Sequence, residues 1–168
     1  MIFGDTQTFA IEAELETRSG KFELGHLRFW IGGVAVGDYD DTSDLAASRR
    51  WARTFLDASP RRTRADLDDA SAAEVFRALH MPEAAAAWDR DPFVLDDVGE
   101  SSLRDRWSIV VVRRADGRDR MIVRDGRRNT ITETTLPTGT CDTVLREYVG
   151  TGNDQRPPAA GATGPGPR

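Results

Sequence analysis

From Phe9 the chain alternates. Phe9, Ile11, Ala13 and Leu15 fall on one side of an extended backbone, and Ala10, Glu12, Glu14 and Glu16 fall on the other. That period of two predicts a strand with one buried face. Arg18, Ser19, Gly20 and Lys21 supply turn chemistry. Phe22 and Leu24 then start a second strand whose phase slips at Gly25 and His26 onto Leu27, Phe29 and Ile31, as a β-bulge at the glycine would produce. Gly32 and Gly33 separate Ile31 from Val34 by the two residues a tight hairpin favours, so residues 34–36 are expected to return as a short third strand.

The spacing then changes to that of helices. Leu45, Ser48, Ala52, Phe55 and Leu56 share a helical face that ends near Ser59 and Pro60. Ser71 and Glu74 have the spacing of a capping box, with Val75, Phe76 and Leu79 as the apolar stripe behind it. Pro82 is expected to end that helix, and the alanine-rich residues 83–88 predict a short third one before Pro92. A second meander follows: residues 107–114, a turn at 115–118, residues 120–124, a turn at Asp125 and Gly126, and a threonine-rich edge strand over 129–136. Val144, Leu145, Tyr148 and Val149 give a closing helix that stops at Gly150.

The order is strands, helices, strands, helix, with tight turns inside each meander. It predicts an α+β domain over residues 1–151, with an antiparallel sheet built from two meanders rather than a doubly wound one. Residues 152–168 are Pro, Gly, Ala and polar residues with no bulky apolar side chain. They predict a disordered tail, because nothing offsets the entropy of ordering them.

Composition narrows the function classes. The chain has 168 residues, 39% hydrophobic and 30% charged, enough for one well-filled core. Apolar runs such as Ile109 to Val112 are far too short to span a bilayer, and the N-terminal residues do not resemble a secretion signal, so a cytoplasmic protein is expected. A net charge of -5 argues against nucleic acid and for a neutral or basic partner. Cys141, the only cysteine, excludes an internal disulfide and any zinc site made of several thiolates. His26 and His80 have no metal-ligand spacing, and neither a phosphate-binding loop nor a nucleophile elbow is present. No catalytic residue, metal or cofactor is assigned.

What remains suits binding. Asp38, Asp40, Asp41 and Asp44 form the one cluster that could surround a hard cation with oxygens, but its spacing is wrong for an EF-hand. They are read first as residues that open the following helix, where its dipole favours negative charge. With Tyr39 they also offer a rigid acidic surface to a basic partner. Trp30, Trp51, Trp88 and Trp107 are expected mostly in the core. Trp30, however, shares a strand face with His26 and Arg28, which makes it a candidate interface hot spot. Asp96, Asp97 and Glu100 read as a solvated loop.

Several short motifs carry a family resemblance: residues 1–5 (MIFGD), residues 9–12 (FAIE), residues 25–33 (GHLRFWIGG) and residues 37–41 (GDYDD). Together they resemble the immunity protein 42 family of bacterial polymorphic and contact-dependent toxin systems. The likeness covers residues 1 to about 55, with an echo in residues 137–148; residues 59–100 match no family. It implies a small cytosolic protein that binds the C-terminal domain of a cognate toxin and blocks its active site or an essential surface. It does not say which residues touch the toxin, so Trp30, Asp38, Tyr39, Asp40, Asp41 and Asp44 enter as partner-binding candidates on their chemistry alone. Two other readings stay open: a metal-dependent hydrolase using Asp38, Asp40, Asp41 and His26, and a scaffold that binds through the threonine-rich edge.

Overall fold

The computed structural model describes residues 1–80, 92–99, 103 and 105–151. The helix expected over 83–88, Trp88, Glu100 and the tail 152–168 lie outside them. The first meander begins with a strand too short for its pattern to reveal, β1 (Ile2–Asp5). It continues through β2 (Phe9–Ser19), β3 (Phe22–Ile31) and β4 (Val34–Val36), antiparallel neighbours in that order, while β5 (Ser43–Asp44) pairs with β3. The bulge is in β2 rather than in β3: Leu15 pairs with Gly25 and Thr17 with Leu24, so Glu16 is the extra residue. Gly25 is its counterpart, because a Cβ there would lie 2.0 Å from the Glu14 carbonyl oxygen. Gly32 and Gly33 both adopt positive φ, 57° and 81°, the two-residue turn whose twist suits a hairpin.

Helix α1 (Leu45–Asp57) starts where the Asp44 carboxylate accepts the Ala46 N–H at 3.0 Å, and Leu45, Ser48, Ala52 and Phe55 turn inward. Helix α2 (Ala72–His80) opens on the expected capping box. Ser71 N–H donates to Glu74 at 2.8 Å, and the Glu74 N–H returns to the Ser71 hydroxyl at 3.4 Å. The second meander is β6 (Trp107–Arg113), β7 (Arg118–Asp125) and β8 (Thr130–Pro137), followed by α3 (Thr140–Gly150).

The two meanders form separate sheets, five-stranded and three-stranded, rather than one continuous sheet. The inner faces of both share one core with α1 and α3, built from Phe9, Ile11, Leu27, Phe29, Phe55, Ile109, Val111, Met121, Leu136, Leu145 and Tyr148. Each such side chain contributes about 1.5–3 kcal/mol by leaving water. On its other face the three-stranded sheet buries Val110, Val112 and Ile122 against Val75, Phe76 and Leu79 of α2. The run from Ile109 to Val112 is therefore apolar at every position because it is covered on both faces.

Asp96 and Trp51 differ from their expected placements, and Arg62 is a further buried charge. Asp96 is buried instead of solvated: its carboxylate accepts the Ile109 N–H and lies 2.8 Å from His80 Nε2, whose ring stacks on Phe76. Trp51 is 43% exposed on the outer side of α1. Arg62 is 1% exposed. It pairs with buried Asp142 at 2.7 Å and lies over the Phe55 ring, tying α3 to the segment after α1.

Candidate functional site

The outer face of the five-stranded sheet carries the candidates. Because β2 and β3 run antiparallel in fixed register, Glu12 stands opposite Arg28 and Glu14 opposite His26, while Trp30 follows beside Ala10. One oxygen of Glu12 accepts two bonds, from Arg28 Nε at 2.8 Å and Trp30 Nε1 at 2.9 Å. The Arg28 guanidinium lies 4.8 Å from the Trp30 ring centroid and 4.6 Å from that of Tyr39, so the cation is held between two aromatic rings. The Tyr39 hydroxyl donates to Glu14 at 3.2 Å. Burial pushes the Tyr39 phenol up and the Glu14 carboxylate adds to the shift. For Glu12, burial acts upward but is outweighed by the bonds from Arg28 and Trp30, and its carboxyl stays below the usual range.

His26 completes the ladder. Its Nε2 lies 2.9 Å from Glu16 and its Nδ1 3.3 Å from the Asp41 carbonyl oxygen. With an acceptor at each nitrogen, only the imidazolium satisfies both, and the Glu16 carboxylate accordingly raises the His26 pKa. The bulge that inserts Glu16 thus places its carboxylate within reach of His26.

The acidic cluster divides in two. Asp44 caps α1 and also accepts the Glu23 N–H at 3.3 Å, so its carboxylate is engaged by backbone. Asp38, Asp40 and Asp41 stand apart in the loop after β4, exposed, and contribute no acidic residue to the first turn of α1. The loop is shaped by the Asp38 carboxylate accepting the Asp40 N–H at 3.1 Å and the Asp38 carbonyl accepting the Asp41 N–H at 3.3 Å. Asp38 and Asp41 also line a polar recess of about 270 Å³ with Arg106, Trp107 and Arg127.

Five of the six candidates therefore gather around one face: Trp30 and Tyr39 half-buried, and Asp38, Asp40 and Asp41 exposed beside them. Glu12, Glu14 and Arg28 belong to the same constellation and were not singled out. Their signal was a row of outward carboxylates on one strand facing basic and aromatic residues on the next. Among the described residues no three His, Cys, Asp or Glu side chains are grouped as metal ligands would be. Nothing in this geometry supports the hydrolase reading.

The outer face of the first sheet thus presents an aromatic and ionic array held by its own hydrogen bonds. The chain belongs to the immunity protein 42 family, whose sequence model matches residues 1–150, and is a toxin-neutralising immunity protein. Its fold is similar to that of a crystal structure of CdiI from Burkholderia dolosa, with a TM-score of 0.72 at 20% identity over 90% of this chain and 99% of that one. No curated protein matches the chain. No helix among the described residues is long and apolar enough to cross a membrane.

Proposed function

We propose that the chain neutralises the C-terminal domain of its toxin in the cytoplasm, without catalysis, by seating the outer face of the first sheet over the toxin's active site or an essential basic surface. The stack of Trp30, Arg28 and Tyr39 carries this reading. Its aromatic rings and cation are held by Glu12 and Glu14 before any partner arrives, so little side-chain entropy remains to be lost on binding. Around it stand six carboxylates, Glu12, Glu14, Glu16, Asp38, Asp40 and Asp41, against the four cations Arg28, His26, Arg106 and Arg127, a surplus of negative charge that favours a basic partner. Asp44 supports the face indirectly, by fixing the start of α1.

The test is co-expression with the C-terminal domain of the protein encoded by the neighbouring upstream gene, followed by titration of the purified pair. The wild-type chain is expected to restore growth and bind. Trp30→Ala, with its melting temperature checked separately, is expected to weaken binding by about 30-fold, the scale of a 2 kcal/mol hot spot. Unchanged affinity in a folded Trp30→Ala variant would remove this face from the interface. Absence of any binding by the wild type would count against neutralisation of that domain.

A further inference from the structure

The two outer edges of the three-stranded sheet are treated differently. β6 is covered: Leu95 N–H donates to the Ile109 carbonyl at 2.9 Å, Val111 N–H to that of Phe93 at 2.8 Å, and Arg113 N–H to that of Arg62 at 2.8 Å. β8 is not. Among the described residues its strand pairs with β7 alone, and it is eight residues long, whereas the edge strands β1 and β4 of the other sheet have four and three. It has neither lysine nor bulge, two usual defences of a long edge, and its proline, Pro137, stands only at its last position. Its one charged residue, Glu133, is engaged by both prongs of Arg120, at 2.7 and 2.8 Å, on the side facing α2.

The other side of β8 borders a groove. Thr130, Thr132 and Thr134 line it on one side and Ile31, Val34 and Val36 of the first sheet on the other, with Val123 and Trp107 and the charged pair Asp125 and Arg128 also in its lining, around a volume of about 280 Å³. Val34, on the rim, is 59% exposed. Trp107 also lines the polar recess that holds Asp38 and Asp41, so the groove lies next to that recess.

We infer that β8 receives an extended segment of the toxin as a fourth, antiparallel strand, whose alternate apolar side chains enter the groove beside Thr132 and Thr134. This rests on the neutralisation reading and adds to it a second contact of defined chemistry. An edge strand offers every second N–H and C=O outward, a pattern only extended backbone satisfies, and the side chains of an added strand continue the alternation of its neighbour. Those falling on the side of Thr130, Thr132 and Thr134 meet the apolar wall of Ile31, Val34 and Val36. A second copy of this chain fits less well. Pairing β8 with itself would direct at the groove either threonines or the row containing Glu133, leaving its apolar wall without an apolar partner.

Hydrogen exchange on the wild-type chain, free and mixed with the C-terminal domain encoded upstream, tests the inference. Alternate amides of residues 130–136 are expected to exchange freely in the chain alone and to slow by about 10-fold or more in the complex. Thr132→Lys/Thr134→Lys, at partly exposed positions, is expected to keep the melting temperature of the wild type and weaken binding by about 10-fold or more. Binding with the β8 amides unchanged and the lysine variant unaffected overturns strand addition while leaving neutralisation by the Trp30 face intact. No binding by the wild type overturns both. Slow β8 exchange in the chain alone that slows further as its own concentration is raised assigns the edge to self-association instead.

Discussion

Aspartates show how one residue type is put to different uses by its neighbours. Asp44 ends its search for donors on the backbone of a helix start, Asp96 accepts a strand N–H inside the core, and Asp142 neutralises a buried arginine. Asp125 does most: Arg106 grips it at 2.8 and 3.2 Å, and the N–H groups of Arg127 and Arg128 point at the same carboxylate. The bond from Arg106 is the main reason its pKa falls from 3.8 to about 2. A folded pKa below the unfolded one means stability that is fully present above pH 3.8 and is lost as the pH falls through about 2. In urea denaturation, the wild type is therefore expected to exceed Asp125→Asn in midpoint at pH 5, with the gap closing between pH 4 and pH 2. A gap that stays constant over that range would mean the Arg106 pair contributes nothing to folding.

At the scale of elements, the backbone at the bulge is set by glycine rather than by hydrophobic pattern. Gly25 sits opposite the inserted Glu16, and any Cβ would press on the Glu14 carbonyl of the adjacent strand, which cannot move without breaking the ladder. Gly25→Ala is expected to cost about 1–3 kcal/mol in chemical denaturation. Gly150→Ala, where nothing lies near the added carbon, is expected to cost nothing measurable. A Gly25→Ala chain as stable as the wild type would show that the strands can slide to absorb the methyl group. The phase slip at Gly25 was readable in the sequence, but the pattern of one strand cannot say which member of a pair holds the extra residue. For the same reason the alternation of Phe9 to Leu15 and the capping box of α2 were legible, being local. The burial of Asp96 and the division into two sheets were not, since both depend on partners distant in sequence. Trp30 was placed on the polar face by its own alternation, whereas the hydrogen bond that holds it is donated to Glu12, eighteen residues away.

On the scale of the whole molecule, charge and shape make separate contributions to recognition. The -5 net charge is spread over the chain, but Asp38, Asp40 and Asp41 concentrate it on one exposed loop beside the aromatic stack. Charges in such a rim position act chiefly on the encounter: they raise the association rate, and salt screens them within a Debye length of about 8–10 Å. In the proposed complex the stack and the β8 groove would act after contact, on dissociation. Asp38→Asn/Asp40→Asn/Asp41→Asn keeps the side-chain acceptor that shapes the loop, so its stability should remain within about 0.5 kcal/mol of the wild type. Measured by stopped flow against the toxin domain, the triple variant is expected to associate more slowly and with a flatter dependence on ionic strength, while its dissociation rate changes little. Trp30→Ala should show the reverse, an association rate near that of the wild type and faster dissociation. If instead the triple variant dissociated faster and its association kept the wild-type salt dependence, the loop would lie inside the desolvated centre of the interface, and the aromatic stack would no longer be its anchor.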